Sequence, residues 1–154
     1  TLVGYSAIIM ASKLKKGKLI TIEIDPDKAE IAKSNIFKAG LANKIEVVVG
    51  DAKEIIPKLN VEIDMLFIDG DHSYAGVKKD WTLFLPHVKK EGVCIFHDTS
   101  WNIVEPLRSL KRSDLGVPEF VEELRKTGYP VITLPLDHGV SMVQPCTNGL
   151  PLVI

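Results

Sequence analysis

Cysteine is scarce in this chain, and so is net charge. Two cysteines among 154 residues make neither a disulfide framework nor a zinc pattern: Cys94 lies in an apolar, strand-like run and Cys146 in a proline-flanked tail. The formal net charge of −1 gives no electrostatic reason to expect nucleic acid or an anionic membrane as a partner. Lys13, Lys15, Lys16 and Lys18 cluster around a glycine and read as a solvated helix end and turn. No apolar run approaches bilayer-spanning length and no secretory signal precedes the first element, so a cytoplasmic protein is expected. Internal repeats, low-complexity tracts and linkers are also missing. What is there, 45% apolar and 25% charged residues, suits a single domain over residues 1–154 with one sizeable core.

Strand-like and helix-like segments alternate from Lys18 onward. Lys18 to Ile24 is short and β-branched, a strand. Asp25-Pro26 then supplies a capping carboxylate and a proline suited to the first helical turn. The following helix carries Ala29, Ile31, Ala32, Ile36, Phe37 and Ala39 and stops at Gly40. Lys44 to Val49 is the next strand, and Ala52 to Leu59 a short helix that Pro57 disturbs near its end. Ile63 to Ile68 is a third strand, Tyr74 to Leu85 a helix closed by Pro86, and Val93 to Phe96 a fourth strand after the turn Lys90-Glu91-Gly92. Short apolar strands separated by helices predict a doubly wound, mostly parallel α/β sheet covered on both faces. The last third differs: a helix over Val117 to Thr127 precedes an antiparallel hairpin, Tyr129 to Leu136 with Val140 to Gln144, and a tail from Pro145 to Ile154 has no clear assignment. Gly4 to Lys16 fits a helix, yet no strand feeds it through a glycine-rich turn. The first strand of the sheet is therefore expected to be missing and the N-terminus incomplete.

Ligands of open parallel sheets sit at the carboxyl ends of the strands. Here those ends carry Glu23 and Asp25; Gly50, Asp51 and Ala52; Asp69, Gly70, Asp71 and His72; and His97, Asp98 and Thr99. Each of the four strands ends in a carboxylate, and that shared feature is the main functional signal. Bland roles compete with it. Asp25 reads as a helix cap, Asp51 as a cap that can also serve a ligand, and Asp71, Ser73 and Tyr74 as turn and cap residues. His87, beside Pro86, and His138, in the hairpin turn, read as inert, and Trp81 as core. Glu23 alternates with Ile22 and Ile24, and an acid in a half-buried strand needs a reason. Two acceptor oxygens there suit the hydroxyls of a ribose. Asp69 and Asp98 follow buried strands directly, where they either pair with cations and amides or hold a hard divalent cation such as Mg²⁺.

The segments "VGYSAIIMA", "LITIEIDPDKAEIAKSNIFKAGL", "IEVVVGDAKEIIPKL", "IDMLFIDGDHSYAGVKKDW" and "GVCIFHDTS", in this order from Val3 to Ser100, resemble the class I S-adenosylmethionine-dependent methyltransferases. They are most similar to the small-molecule O-methyltransferases of the catechol and caffeoyl-CoA type and to the related branch with an "IDGDHSY" loop. The resemblance implies a Rossmann-like fold and S-adenosylmethionine as cofactor. Gly4, Tyr5 and Ser6 match the end of the loop around the methionine part; Glu23 matches the ribose-binding acid; Asp51 and Ala52 match the pair beside the adenine. Asp69 matches a carboxylate near cofactor and metal, His72 lies in the covering loop, and Asp98 fits a metal ligand after the fifth strand of the family. His97 and Thr99 depart from the Glu and Asn of related members, which leaves the metal requirement open. Lys78 and Lys79 lie beyond the position of the catechol-type lysine.

The expectation is methyl transfer to a small-molecule acceptor, a hydroxyl oxygen, aided by a divalent ion on Asp69 and Asp98 or by His72 or His97 as base. Trp101 is a candidate for the acceptor pocket. Homo-oligomerisation and the acceptor's identity stay open. Two rival readings are a non-catalytic, truncated binding module and a nicotinamide-dependent oxidoreductase. A thermal-shift comparison separates the cofactors: S-adenosylmethionine should raise the melting temperature and NADH should not, and the reverse result would favour the oxidoreductase.

Overall fold

The computed structural model describes residues 1–100, 115–135 and 138–145; Trp101, Cys146 and most of the 145–154 tail lie outside them. The chain divides into two compact units, Thr1–Asn60 and Val61–Ile154.

The first unit holds α1 (Tyr5–Lys13), β1 (Leu19–Glu23), α2 (Pro26–Lys38), β2 (Ile45–Val49) and α3 (Ala52–Ile55), the last continued by a 3₁₀ turn over Ile56–Lys58. The helix forecast from Gly4 to Lys16 is shorter at both ends. Gly4 adopts φ 86°, outside the helix, and Leu14 is already extended at ψ 122°. Asp25 starts α2 as expected, accepting from the amides of Asp27 and Lys28. Pro57 sits in the 3₁₀ turn that ends the short helix. β1 and β2 pair in parallel, Leu19 opposite Ile45 and Glu23 opposite Val49. Ala7, Ala11, Ala32, Ile36 and Ile45 form the core beneath them.

The second unit holds β3 (Ile63–Ile68), α4 (Tyr74–Phe84), β4 (Val88–His97), α5 (Val117–Lys126), β5 (Val131–Leu134) and β6 (Val140–Val143). Its sheet runs β3-β4-β6-β5, with β3 and β4 parallel and the hairpin strands antiparallel. The hairpin forecast for the last third is present, and its second strand, β6, is the one that pairs with β4. Two features differ from the expectation. The parallel strands form two sheets, β1-β2 and β3-β4-β6-β5, because among the described residues no strand pairs with the second edge of β1 or of β3. And β4 begins at Val88: Lys90-Glu91-Gly92 is a bulge inside the strand, where the register shifts from Ile63 opposite Val88 to Met65 opposite Val93. Gly92 is required there, since a Cβ would lie 2.8 Å from Val88 Cγ1 and 2.9 Å from the Lys89 carbonyl.

The core of this unit gathers Leu66, Ile68, Val77, Trp81, Cys94, Phe96, Phe120, Val121, Leu124 and Val143. Trp81 packs at 5.7 Å from Phe96, 6.3 Å from Phe120 and 5.3 Å from Tyr129 (ring centroids), so it is core, as its helix position implied. Burial pushes the Cys94 thiol up to about 12, which makes it an inert packing residue. Outside this core, Tyr74 donates to Glu123, and Lys78 bonds both, tying α4 to α5. Phe120 is 1% exposed and packs against the rings of Tyr74, Trp81 and Phe96. Phe120→Ala should therefore cost about 3–5 kcal/mol in urea unfolding; a loss below about 1 kcal/mol would show that this core is not the one that holds the unit.

Candidate functional site

In the first unit, the parallel register brings Glu23 and Gly50-Asp51-Ala52 to one end of the β1-β2 pair, and the Gly50 amide donates to the Glu23 carbonyl at 2.9 Å. The Glu23 side chain is 9% exposed. Its Oε2 accepts from the Leu2 amide at 2.7 Å and lies 3.3 Å from the Thr1 nitrogen; its Oε1 accepts from the Asp25 amide at 3.1 Å. Burial pushes this carboxyl up, but hydrogen bonds from the Asp25 and Leu2 amides hold the group below its ordinary 4.5. So the strand acid has a local reason to be buried, and Oε1, which accepts from one amide, still keeps a lone pair for a further donor. Asp51 Oδ1 accepts from the Lys53 amide at 2.9 Å, the capping role foreseen for it. Gly4 lies against α2, where a Cβ would meet Ala32 Cβ at 3.3 Å, and Tyr5 and Ser6, both exposed, open α1.

In the second unit, Ile68 pairs with Phe96, so Asp69 and His97-Asp98 leave adjacent parallel strands side by side. His72 Nε2 lies 2.9 Å from Asp98 Oδ2 and 3.3 Å from Asp69 Oδ1. His97 Nδ1 lies 3.2 Å from Asp98 Oδ1 and 3.4 Å from Asp69 Oδ1, yet it is buried and makes no aligned hydrogen bond among the described residues. Donor atoms of Asp69, His72 and Asp98 all fall within 4.8 Å of one another. Asp69 pairs with imidazoles and, among the described residues, with no lysine or arginine. Asp98 is 7% exposed and holds φ 59°, a left-handed backbone that a non-glycine residue adopts only when its surroundings impose it. The surroundings here are the hairpin: the Thr99 and Ser100 amides donate to the carbonyls of Gly139 and His138 at 3.3 and 2.9 Å. Gly139 fits because it has no side chain; a Cβ would lie 2.5 Å from Ser100 N.

That hairpin brings one further histidine to the acids. His138, taken as inert from its place in a turn, has Nδ1 3.4 Å from Asp98 Oδ1. Spacing along the chain does not reveal it; only the antiparallel pairing of β6 with β4, His97 opposite Val140, puts the turn at the acid-bearing end. Asp71 has the loop-shaping role: its Oδ1 accepts from the Ser73 amide at 2.9 Å, which holds its carboxyl below the usual range, and Ser73 caps α4 through the Gly76 amide at 3.0 Å. Thr99 and Ser100 are buried, and their hydroxyls have no partner among the described residues. His87 lies in the 3₁₀ turn after α4. A shallow groove of about 640 Å³ is lined by Tyr74, Ala75, Lys78, Lys79, Thr82 and Leu83; none of the clustered acids or imidazoles borders it, so concavity and chemistry do not coincide here.

Residues 1–99 match the model of a family described as a methyltransferase domain. The chain belongs to this methyltransferase family. A catechol O-methyltransferase of Niastella koreensis is 47% identical over 90 residues, which cover 55% of this chain and 41% of that protein. A catechol O-methyltransferase of Sus scrofa is 43% identical over 133 residues, 81% of this chain and 63% of that one. The chain thus spans less than two thirds of these curated relatives. Among solved structures, the O-methyltransferase TomG of Streptomyces achromogenes, in complex with SAM, aligns at a TM-score of 0.73 and 26% identity over 94% of this chain and 69% of that one. The methyltransferase domain is thus a Rossmann-like α/β fold with open sheets, and no described helix is long and apolar enough to cross a membrane.

The donor set of the second unit fits a divalent cation. Two carboxylates face imidazole nitrogens, one of them buried and, among the described residues, unaligned with any hydrogen-bond acceptor. In the first unit, the depressed Glu23 titration has a sign that can be checked. A carboxyl held low in the folded chain contributes stability above its unfolded value and loses it as pH falls. Glu23→Gln should cost about 1–2 kcal/mol at pH 7, and the gap to the parent chain should close as pH drops through 4.5 and below. A gap independent of pH between 7 and 3 would show that the charge on Glu23 contributes nothing.

Proposed function

We propose that this methyltransferase domain binds S-adenosylmethionine and carries a methyl group to a hydroxyl oxygen of a small-molecule acceptor. The observation that carries the reading is the convergence of Asp69, His72, His97 and Asp98 at the ends of β3 and β4 in a chain whose first 99 residues match a methyltransferase family. The relatives named catechol O-methyltransferase support oxygen as the methylated atom.

Each residue then has a task. Glu23, already oriented by the Leu2 and Asp25 amides, accepts from a ribose hydroxyl with the lone pair left on Oε1. Gly4, Tyr5 and Ser6 border the methionine part at the start of α1, and Asp51 and Ala52 the adenine. The sulfonium makes its methyl group electrophilic before the protein acts, so alignment and deprotonation of the acceptor are what the domain must supply. His72 turns Nε2 toward Asp98 and Asp69, which leaves Nδ1 as the ring atom to take the hydroxyl proton. His97 is the second candidate base. Asp69 and Asp98 would hold a divalent ion, Mg²⁺ or another, whose charge lowers the pKa of an acceptor hydroxyl.

Calorimetry with S-adenosylmethionine tests the first half: Glu23→Ala should weaken binding at least tenfold, about 1.4 kcal/mol. Unchanged affinity would remove Glu23 from the cofactor site. Transfer of a labelled methyl group to catechol tests the second half. Asp98→Ala and a chelator should each abolish it, and an Asp98→Ala chain fully active in chelator would end the metal role.

A further inference from the structure

His72 and Asp98 stand on two loops, and each loop is gripped by a glycine from the last third of the chain. On the first loop, the His72 carbonyl accepts from the Gly116 amide at 2.8 Å. Gly116 directly precedes α5, and a Cβ there would fall on the backbone nitrogen and Cα of Tyr74. Its φ of −104° is open to any residue, so the closeness of Tyr74, and not the backbone conformation, is what requires glycine. The Tyr74 hydroxyl then donates to Glu123 of α5, which fastens the loop to the same helix a second time. On the other loop, the Ser100 and Thr99 amides donate to the carbonyls of His138 and Gly139. A Cβ on Gly139 would lie 2.5 Å from both Cβ and N of Ser100. Gly128, just past α5, is the contrast: at φ 93° it has nothing within 4 Å of an added Cβ.

These two contacts bear directly on the candidate site. Donor atoms of Asp69, His72 and Asp98 lie within 4.8 Å of one another, and the approach of His72 Nε2 to Asp98 Oδ2, 2.9 Å, spans the two gripped loops. Relieving either glycine overlap moves one loop by on the order of 1 Å, and misplacement of that size costs up to about a hundredfold in rate. We propose that Gly116 and Gly139 are positioning residues that clamp the His72 and Asp98 loops at the separation methyl transfer requires. The last third of the chain thereby sets the geometry of a site whose own side chains lie in the stretch matching the family, residues 1–99. The proposal rests on the roles assigned above to His72 and Asp98.

Gly116→Ala and Gly139→Ala test it, with Gly128→Ala as the glycine whose loss costs backbone freedom but meets no neighbour; circular dichroism checks that each is folded. Transfer of a labelled methyl group to catechol gives kcat, and calorimetry gives the affinities for S-adenosylmethionine and for Mg²⁺. Both clamp variants should lose about tenfold or more in kcat and in Mg²⁺ affinity, while S-adenosylmethionine affinity stays as in the parent. Gly128→Ala should lower the melting temperature and leave all three values unchanged. A folded clamp variant with parental kcat strikes its glycine from the proposal, as does one that loses S-adenosylmethionine affinity to the same degree as kcat, the mark of general disruption. Should a variant fail to fold, amide hydrogen exchange of the parent decides. The Ser100 and Gly116 amides should be protected as strongly as that of Phe96, and exchange at the rate of an unstructured peptide would overturn the clamp. If the parent methylates catechol without binding Mg²⁺, the metal role falls and kcat alone decides. If it transfers no methyl group, the functional reading falls and the proposal with it.

Discussion

The second unit depends on the register of one parallel strand pair. With Ile68 opposite Phe96, the carboxylates that follow β3 and β4 emerge together, and a slip of one residue would move Asp69 away from Asp98 while turning both strands inside out. Two like charges so placed repel, so the surroundings must compensate. Imidazole nitrogens stand within 3.4 Å of the acids, where a ring N–H can donate to a carboxylate oxygen. The register is itself secured by burial. Leu66, Ile68, Cys94 and Phe96 all point into the core that α4 and α5 cover, and the bulge at Gly92 absorbs the offset between the two strands before it reaches the site.

The two units treat their acids differently. In the first, Glu23 is buried but satisfied by neighbouring amides, a stable carboxylate with capacity to spare. In the second, Asp98 is buried at φ 59°, and His97 Nδ1 beside it has no aligned bond among the described residues. Strain and an orphaned polar atom in one place are what a site prepared for something else looks like.

Much of this was legible in the residues. Asp25-Pro26, the β-branched runs and the Pro57 and Gly40 signals located elements through local chemistry, which acts over a few residues and needs no tertiary context. The acids at strand ends were legible for the same reason, since a carboxylate directly after an apolar run is costly unless it is used. What escaped was long-range. Lys90-Glu91-Gly92 has the composition of a turn, and only pairing with β3 keeps it inside a strand. His138 has the composition of a hairpin tip, and only the insertion of β6 between β4 and β5 carries it to Asp98. The local reason for burying Glu23, two amides from residues on either side of it in space, was hidden too, because Leu2 is distant in the chain.

The hairpin also divides the labour of the second unit in a way that bears on how such a domain can diversify. The strands with the aspartates belong to the stretch matching the family, residues 1–99, while the turn that locks Ser100 and supplies His138 comes some forty residues later. A surface hairpin is among the easiest segments to exchange between related chains. Here such an exchange would leave the acids untouched and change the backbone that holds Ser100 and the imidazole beside Asp98, so that part of the site's lining is a trait inherited separately from its scaffold.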